Sequence, residues 1–570
     1  MRDAFLLDRL IDRALTLNER LSCERRPAKN KKRIATQRAD SCRSWFNQRT
    51  LNTDVWTEFL HDIGLDEPAL WDLAEAEFEA SSHPSWSKTL RQLVETFQSG
   101  SSHPITPSTL VGMISPPMLR FARNRLRHCL PKEHLTILPK DALGGLCNSL
   151  LGRLVRSGSE VFDWERQLPI ADDLCSEKNE PAILRLLRHY PALARLWATQ
   201  IDNWIASTGA FLHAAEEFLG NRSKERGGGL HIRSIVPDFS DPHCGNSTVM
   251  KLTLSDHTIW FFKPRSGAHE AAWFSLLDWL NRQGFPHPFK CPCVIPGDNG
   301  CWMEAIPSRE CENASEVKAF FFRAGALLYL AHLLRFVDLH AQNLIAEGGH
   351  PVFVDCETLL HPATRVPTFV TEQECDVLRT GLLPVKRDTH GRHSLSGYGR
   401  RAAGAHLVRF RGRPVFAEAF LDIMISGFVA MHSFLGPGRY DAFVAEAACC
   451  LPSTGRQIRK PTGQYRVILE TSLAPRMMIS GFDRSLFLHA ICRDGIIARP
   501  WIPSEVMALE NADIPRLMGR TARIRRPLTQ SRLNQSLRLI RRALEVRRAP
   551  PNEATGQHSE PRCIATLRRH

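Results

Sequence analysis

Residues 338–358 read DLHAQNLIAEGGHPVFVDCET, and no other stretch restricts the fold as much. Two short apolar runs flank a Gly-Gly turn, the pattern of a β-hairpin. Asp338 and Asn343 precede the first run and Asp355 ends the second. A hairpin folds the chain back on itself, so side chains at its open end meet although far apart in sequence. Phosphoryl transfer needs such a set: an aspartate near the acceptor hydroxyl, and an amide and a second aspartate for magnesium. It also needs a lysine on a strand, and Lys263 closes the run HTIWFFK. Alone, D-x-x-x-x-N is more often a pair of turn residues. The apolar helix before it, the hairpin after it and the strand lysine upstream favour a site.

A chain of 570 residues has room for two or three folding units. Residues 1–225 read as mainly helical, with apolar positions three and four apart in 52–79, 88–98, 182–198 and 200–219. Character changes at Gly227-Gly228-Gly229, after which STVMKLTL and HTIWFFK read as strands joined by a Ser-Asp turn. Helices are expected over 268–282, 315–336, 415 to about 450, and 530–547. The division is 1–225 helical, 226–310 a small lobe built on strands, 311–547 a larger lobe, and 548–570 a basic disordered tail.

The formal net charge of +14 fits either a solvated surface or an anionic partner. No zinc-finger, RRM or basic-zipper pattern is present, so nucleic acid is not expected. The 16 cysteines form no framework and read as reduced core residues. The N-terminus lacks the apolar core of a signal peptide. The runs 319–334 and 416–435 carry charges, so no membrane span is expected and the protein reads as cytoplasmic.

Eight ordered segments together resemble the dehydratase domain of class II lanthipeptide synthetases (LanM type), whose core is similar to lipid kinases. They are SDPHCGNSTV (240–249), FFKPRS (261–266), WMEAI (302–306), DLHAQNLIA (338–346), PVFVDCETLL (351–360), VLRTGLLP (377–384), RQIRKPTGQY (456–465) and ADIPRL (512–517). The resemblance implies an α+β fold with a lipid-kinase-like two-lobed catalytic core behind a large helical N-terminal region, which would in part engage a leader peptide. It implies a bacterial enzyme that phosphorylates Ser or Thr of a precursor peptide with ATP and magnesium, then eliminates phosphate to give dehydroalanine or dehydrobutyrine.

By position, Lys263, Asp338, His340, Asn343, Asp355 and Glu357 match phosphorylation residues, with Asn343 and Asp355 as metal ligands. Asp241 and His243 match further active-site positions, and Arg456 with Thr462 the elimination pair. A guanidinium suits that step because it holds the leaving oxygens as charge develops. Glu270, on the helix after Lys263, reads as an exposed helix residue rather than the lysine's partner, and is left out of the site.

The chain departs from the family in three places. ADIPRL carries Arg516 and Leu517 where two aromatics are usual, and DCET has Cys356 for the usual Leu. The zinc-cyclase motifs W-C-x-G and C-H-G are absent, so neither zinc nor ring closure is expected, and a separate cyclase would be a partner. Two rival readings stay open: a peptide or small-molecule kinase without elimination, and a truncated, inactive remnant that binds precursor peptide.

Overall fold

Five strands, β1 (Ile232–Val236), β2 (Met250–Leu254), β3 (Ile259–Lys263), β4 (Val294–Ile295) and β5 (Cys301–Glu304), form an antiparallel sheet in the order β1-β2-β3-β5-β4. The computed structural model describes residues 2–26, 36–47, 55–99, 110–131, 137–139, 141–167, 181–362, 377–384, 396–399, 404–493 and 499–545. The strand period of two sends Trp260 and Phe262 of β3 to one face, with Trp302 of β5. A long helix, Pro191–Arg226, covers that face. Phe218 stacks on Trp302 with ring centroids 4.2 Å apart, and Phe211 meets Phe262 edge-on at 5.3 Å. All five rings are buried, each worth about 1.5–3 kcal/mol. By the same alternation Lys263 belongs to the opposite face.

Helices fill the region before the sheet, with breaks where the turn chemistry demands them. The stretch 52–79, read as helical, holds two helices, Val55–Ile63 and Glu67–Ala74. Gly64 takes a left-handed φ of 68°, and the Asp66 side chain caps the second helix by accepting from Ala69 N at 2.8 Å. The runs 182–198 and 200–219 divide elsewhere: Ala182–His189 ends before Pro191, which opens one unbroken helix to Arg226.

This helical core is not closed by its own segment. Met478, Phe482, Leu486 and Ala490 join it from far along the chain. The last three lie on the helix Gly481–Cys492, whose Gly481 lies so close to Ala14 that a Cβ would sit 1.9 Å from the Ala14 carbonyl oxygen. Arg195 ties Glu19 to the same region, with Nη2 2.8 Å from Glu19 Oε1 and Nη1 donating to the Glu510 carbonyl at 3.3 Å.

After the sheet come the helices Ala268–Arg282 and Ala314–Leu333 and a hairpin of β6 (Leu344–Glu347) and β7 (His350–Phe353). The first helix has the expected bounds, and the hairpin lies where the sequence put it. Trp273 of the first helix stacks on Phe353 at 5.6 Å. The second helix crosses Leu421–Phe434 at two glycines: a Cβ on Gly325 would sit 1.8 Å from Met424 O, and one on Gly427 1.9 Å from Phe322 O. The segment Ala417–Phe434 is long and apolar enough to cross a membrane by length and composition alone. Here Leu421, Met424, Phe428 and Met431 are buried in this second core.

Two further ribbons follow: β8 (Val408–Phe410) with β9 (Arg413–Val415), and β10 (Thr454–Gln457) with β11 (Leu517–Arg520). The last helix described is Gln530–Leu544. Helices with small antiparallel sheets make the fold α+β, as expected. The proposed tail, 548–570, lies outside the described residues.

Candidate active site

Lys263 ends β3 on the face away from the aromatic helix and is nearly inaccessible, at 6% exposure. Its Nζ donates to Glu270 Oε1 at 3.0 Å and to the carbonyl of Val354, just beyond the hairpin. The sequence reading placed Glu270 on the surface. It is instead 1% exposed, on the turn of the following helix that faces Lys263 and Arg265. Burial alone would raise its pKa; the charges of Arg265 and then Lys263 outweigh that and bring it down to about 2. A signal for this existed. Glu270 precedes Trp273, Phe274 and Leu277 by three, four and seven positions, and all three are buried.

The hairpin delivers the other groups. Asp338 holds a φ of 63°, rare for a residue with a Cβ. Asn343 Nδ2 donates to its carbonyl at 2.9 Å, His340 N donates to the same oxygen at 2.9 Å, and Leu339 N donates to Thr380 O. These bonds hold the strained turn. Gln342 N donates to His340 Nδ1 at 3.2 Å, leaving Nε2 to carry the proton, 3.8 Å from Asp338 Oδ1. Burial raises the pKa of Asp338; Asp355 and Glu357 add to the rise, while His340 and Arg456 oppose it. Val354 N donates to Asn343 O at 3.0 Å, so the residue before Asp355 is bonded to Asn343.

Past the hairpin, Glu357 is buried and serves three arginines. Arg456 Nη1 donates to Oε1 at 2.5 Å, Arg516 Nε to Oε2 at 2.8 Å, and Arg265 Nη1 lies 3.4 Å from Oε2. Burial pushes its pKa up, but Arg265, Arg456 and Arg516 together hold it well below the usual carboxylate range. Both oxygens are occupied by guanidiniums, so Glu357 positions cations here. Arg265 also reaches Glu270 at 2.6 Å and Asp355 Oδ1 at 3.1 Å, linking three of the four acids.

Arg456 belongs to β10, and its backbone N donates to Glu357 O at 2.9 Å, which fixes the ribbon against this segment. His243 joins from the loop before β2. Its Nδ1 lies 2.7 Å from Ile514 O, so that nitrogen carries the proton and donates, leaving Nε2 with a free lone pair. Burial first, and the Arg456 charge second, hold its pKa below the usual imidazole range.

The other two sequence candidates sit differently. Asp241 pairs with the exposed Arg466 at 2.6 Å. Thr462 opens the helix Thr462–Ser472, half-buried, and among the described residues it makes no hydrogen bond to Arg456. Arg265 and Arg516 were missed as site residues, as was His269, a buried imidazole whose Nε2 has no partner among the described residues.

Oxygen donors for a magnesium ion are present. Asn343 spends its amide nitrogen on the Asp338 carbonyl, leaving Oδ1, and Asp355 offers the oxygen that Arg265 does not take. Two protein oxygens suit magnesium, which keeps waters and phosphate oxygens as its other ligands.

A stretch of 165 residues is 28% identical to the lacticin 481/lactococcin biosynthesis protein LcnDR2 of Lactococcus lactis subsp. lactis, covering 25% of this chain and 17% of that protein. The chain therefore spans well under two thirds of that relative's length. The family described as a domain of unknown function, DUF4135, matches residues 190–406 and 400–518, which take in β1 to β10, the start of β11, Lys263, the hairpin and Arg456. The chain belongs to the DUF4135 family.

Proposed function

We propose that this protein is a peptide dehydratase of lanthipeptide biosynthesis, using a lipid-kinase-like two-lobed core. The observation that carries the reading is the pair Lys263–Glu270, joined by Val354 to a hairpin end that bears Asp338, Asn343 and Asp355. A strand lysine paired to a glutamate on the next helix is the recurring nucleotide-phosphate arrangement of kinases. The similarity to LcnDR2, whose name concerns lantibiotic biosynthesis, supports a precursor peptide as substrate.

In the first step Lys263, held by Glu270, meets the phosphates of ATP. Asn343 and Asp355 would hold a magnesium ion, which would supply positive charge to the phosphates. Asp338 takes the proton of a Ser or Thr hydroxyl, helped by its raised pKa, as the Oγ–P bond forms and the bond to ADP breaks. In the second step a base removes the Cα proton, the C–H pair becomes the Cα=Cβ bond, and the Cβ–O pair leaves with phosphate. His243 Nε2, left unprotonated because Nδ1 donates to Ile514 O, is the proton acceptor we favour. Arg456 holds the leaving oxygens, and Thr462 donates to the same group if the peptide brings it within reach. The precursor peptide, a separate cyclase and a cytoplasmic setting complete the reading.

The test is mass spectrometry of a precursor peptide after incubation with enzyme, ATP and magnesium. Wild type should give products lighter by water. Asp338→Ala and Asp355→Asn should give neither phosphopeptide nor water loss, while Arg456→Ala should accumulate phosphopeptide. Stable phosphopeptide from wild type in the presence of ADP would favour the rival reading, a kinase without elimination.

A further inference from the structure

Resting on the two-step reading, we propose that Arg516 binds the leaving phosphate alongside Arg456, the two guanidiniums hung on the two oxygens of Glu357. Arg456 pairs with Met518 across the β10–β11 ribbon, and Arg516 lies two residues before Met518. The period of two places Arg456 and Arg516 on one face as diagonal neighbours. Each uses a single nitrogen on Glu357: Nη1 of Arg456 on Oε1 and Nε of Arg516 on Oε2. Among the described residues, the remaining guanidinium nitrogens of both make no hydrogen bond, and neither side chain is sealed from solvent, at 14% and 18% exposure. One carboxylate thus aims two forks and leaves their outer donors open.

A phosphomonoester matches what is left over. It brings close to two negative charges and three acceptor oxygens, and guanidinium forks grip such oxygens in pairs. As the Cβ–O bond breaks, the electron pair moves onto phosphate, so a second cation helps most at that moment. The position of the proton acceptor agrees. His243 is anchored on Ile514 O, two residues before Arg516, and Asp513 binds the backbone of the same loop, accepting from Gly245 N at 2.7 Å and Asn246 N at 2.8 Å. Pro515 fixes φ between them. The short segment Asp513–Leu517 therefore sets both the base and the second arginine.

The probe is inorganic phosphate, titrated calorimetrically into the full chain with magnesium–ADP present. Arg516→Gln should weaken phosphate binding about 10- to 100-fold, the scale of losing hydrogen bonds between charged groups, with ADP affinity unchanged. Arg516→Lys keeps the charge beside Glu357 and should fall between Gln and wild type; it carries the test if the Gln variant fails to fold. On a peptide that wild type dehydrates, both variants should shift products from dehydrated peptide to phosphopeptide. Equal phosphate affinity in wild type and both variants overturns the proposal, as does binding that disappears together with that of ADP. If phosphate binding depends on Arg516 while wild type leaves stable phosphopeptide, the cradle stands and the elimination reading fails.

Discussion

Removing the charge of Glu357 probes the site at its most concentrated point. In Glu357→Gln, Arg265 keeps Glu270 at 2.6 Å and Asp355 at 3.1 Å, but Arg456 and Arg516 lose the carboxylate that holds them. The glutamine oxygen accepts one bond, and its NH2 points two donors at guanidiniums that cannot accept. The carboxylate is 6% exposed and the three arginines 12%, 14% and 18%, so water screens the stranded charges poorly. Breaking a buried ion pair on one side costs about 3–5 kcal/mol. The slightly open arginines argue for the lower end, about 3 kcal/mol. Urea unfolding followed by tryptophan fluorescence should show that loss. Arg516→Met added to Glu357→Gln should restore about 1 kcal/mol or more, because one unpaired cation is gone, whereas Arg516→Met in wild type should destabilise. A Glu357→Gln midpoint indistinguishable from wild type, or a double-mutant coupling near zero, would refute the view that one carboxylate organises the arginines.

Three further outcomes follow from the geometry. Glu270→Gln leaves Lys263 and Arg265 without their shared carboxylate, and should slow peptide-dependent ADP release about 100-fold; release at the wild-type rate would deny the pair a role. Because His243 is held below the usual imidazole range, it is deprotonated at neutral pH and becomes protonated only as pH falls through its depressed pKa. Elimination from preformed phosphopeptide should therefore be flat between about pH 7 and 8 and decline only below about pH 6.5, and an acid limb centred above pH 7 would exclude His243 as the base. Gly325→Ala drives a methyl into the Met424 carbonyl and should destabilise by about 1–3 kcal/mol or more in the same unfolding assay; an unchanged midpoint would contradict the helix crossing.

What the sequence revealed was local in origin. The hairpin was legible because Gly-Gly turn chemistry and flanking apolar runs are contained within about a dozen residues, and it carried Asp338, Asn343 and Asp355 with it. Lys263 was legible for the same reason, as the end of an aromatic strand. Glu270 was misread because a charged residue in a helix is exposed unless a partner arrives, and its partners come from the preceding strand and turn. Arg516 was noted only as a departure from the family's usual aromatics. Its role depends on the pairing of β10 with β11, which joins segments some 60 residues apart and leaves no periodic trace. Asp241 and Thr462 show the reverse: resemblance drew attention to both, while the described hydrogen bonds tie Asp241 to surface Arg466 and give Thr462 no link to Arg456.

The contact of Gly481 with Ala14 sets a condition on synthesis. The N-terminal helices are made first, yet the helix that completes their core is encoded about 470 residues later. At roughly 5–20 residues per second, the ribosome needs on the order of half a minute to a minute and a half to deliver it. During that interval the faces of Leu10, Ile11, Phe59 and Trp71 wait without their final cover, exposed to other nascent chains and to chaperones. Cutting the gene before residue 481 would make that interval permanent, and dividing the protein at Gly227 would part the N-terminal helices from the strand residues and from Phe482, Leu486 and Ala490, which complete their core.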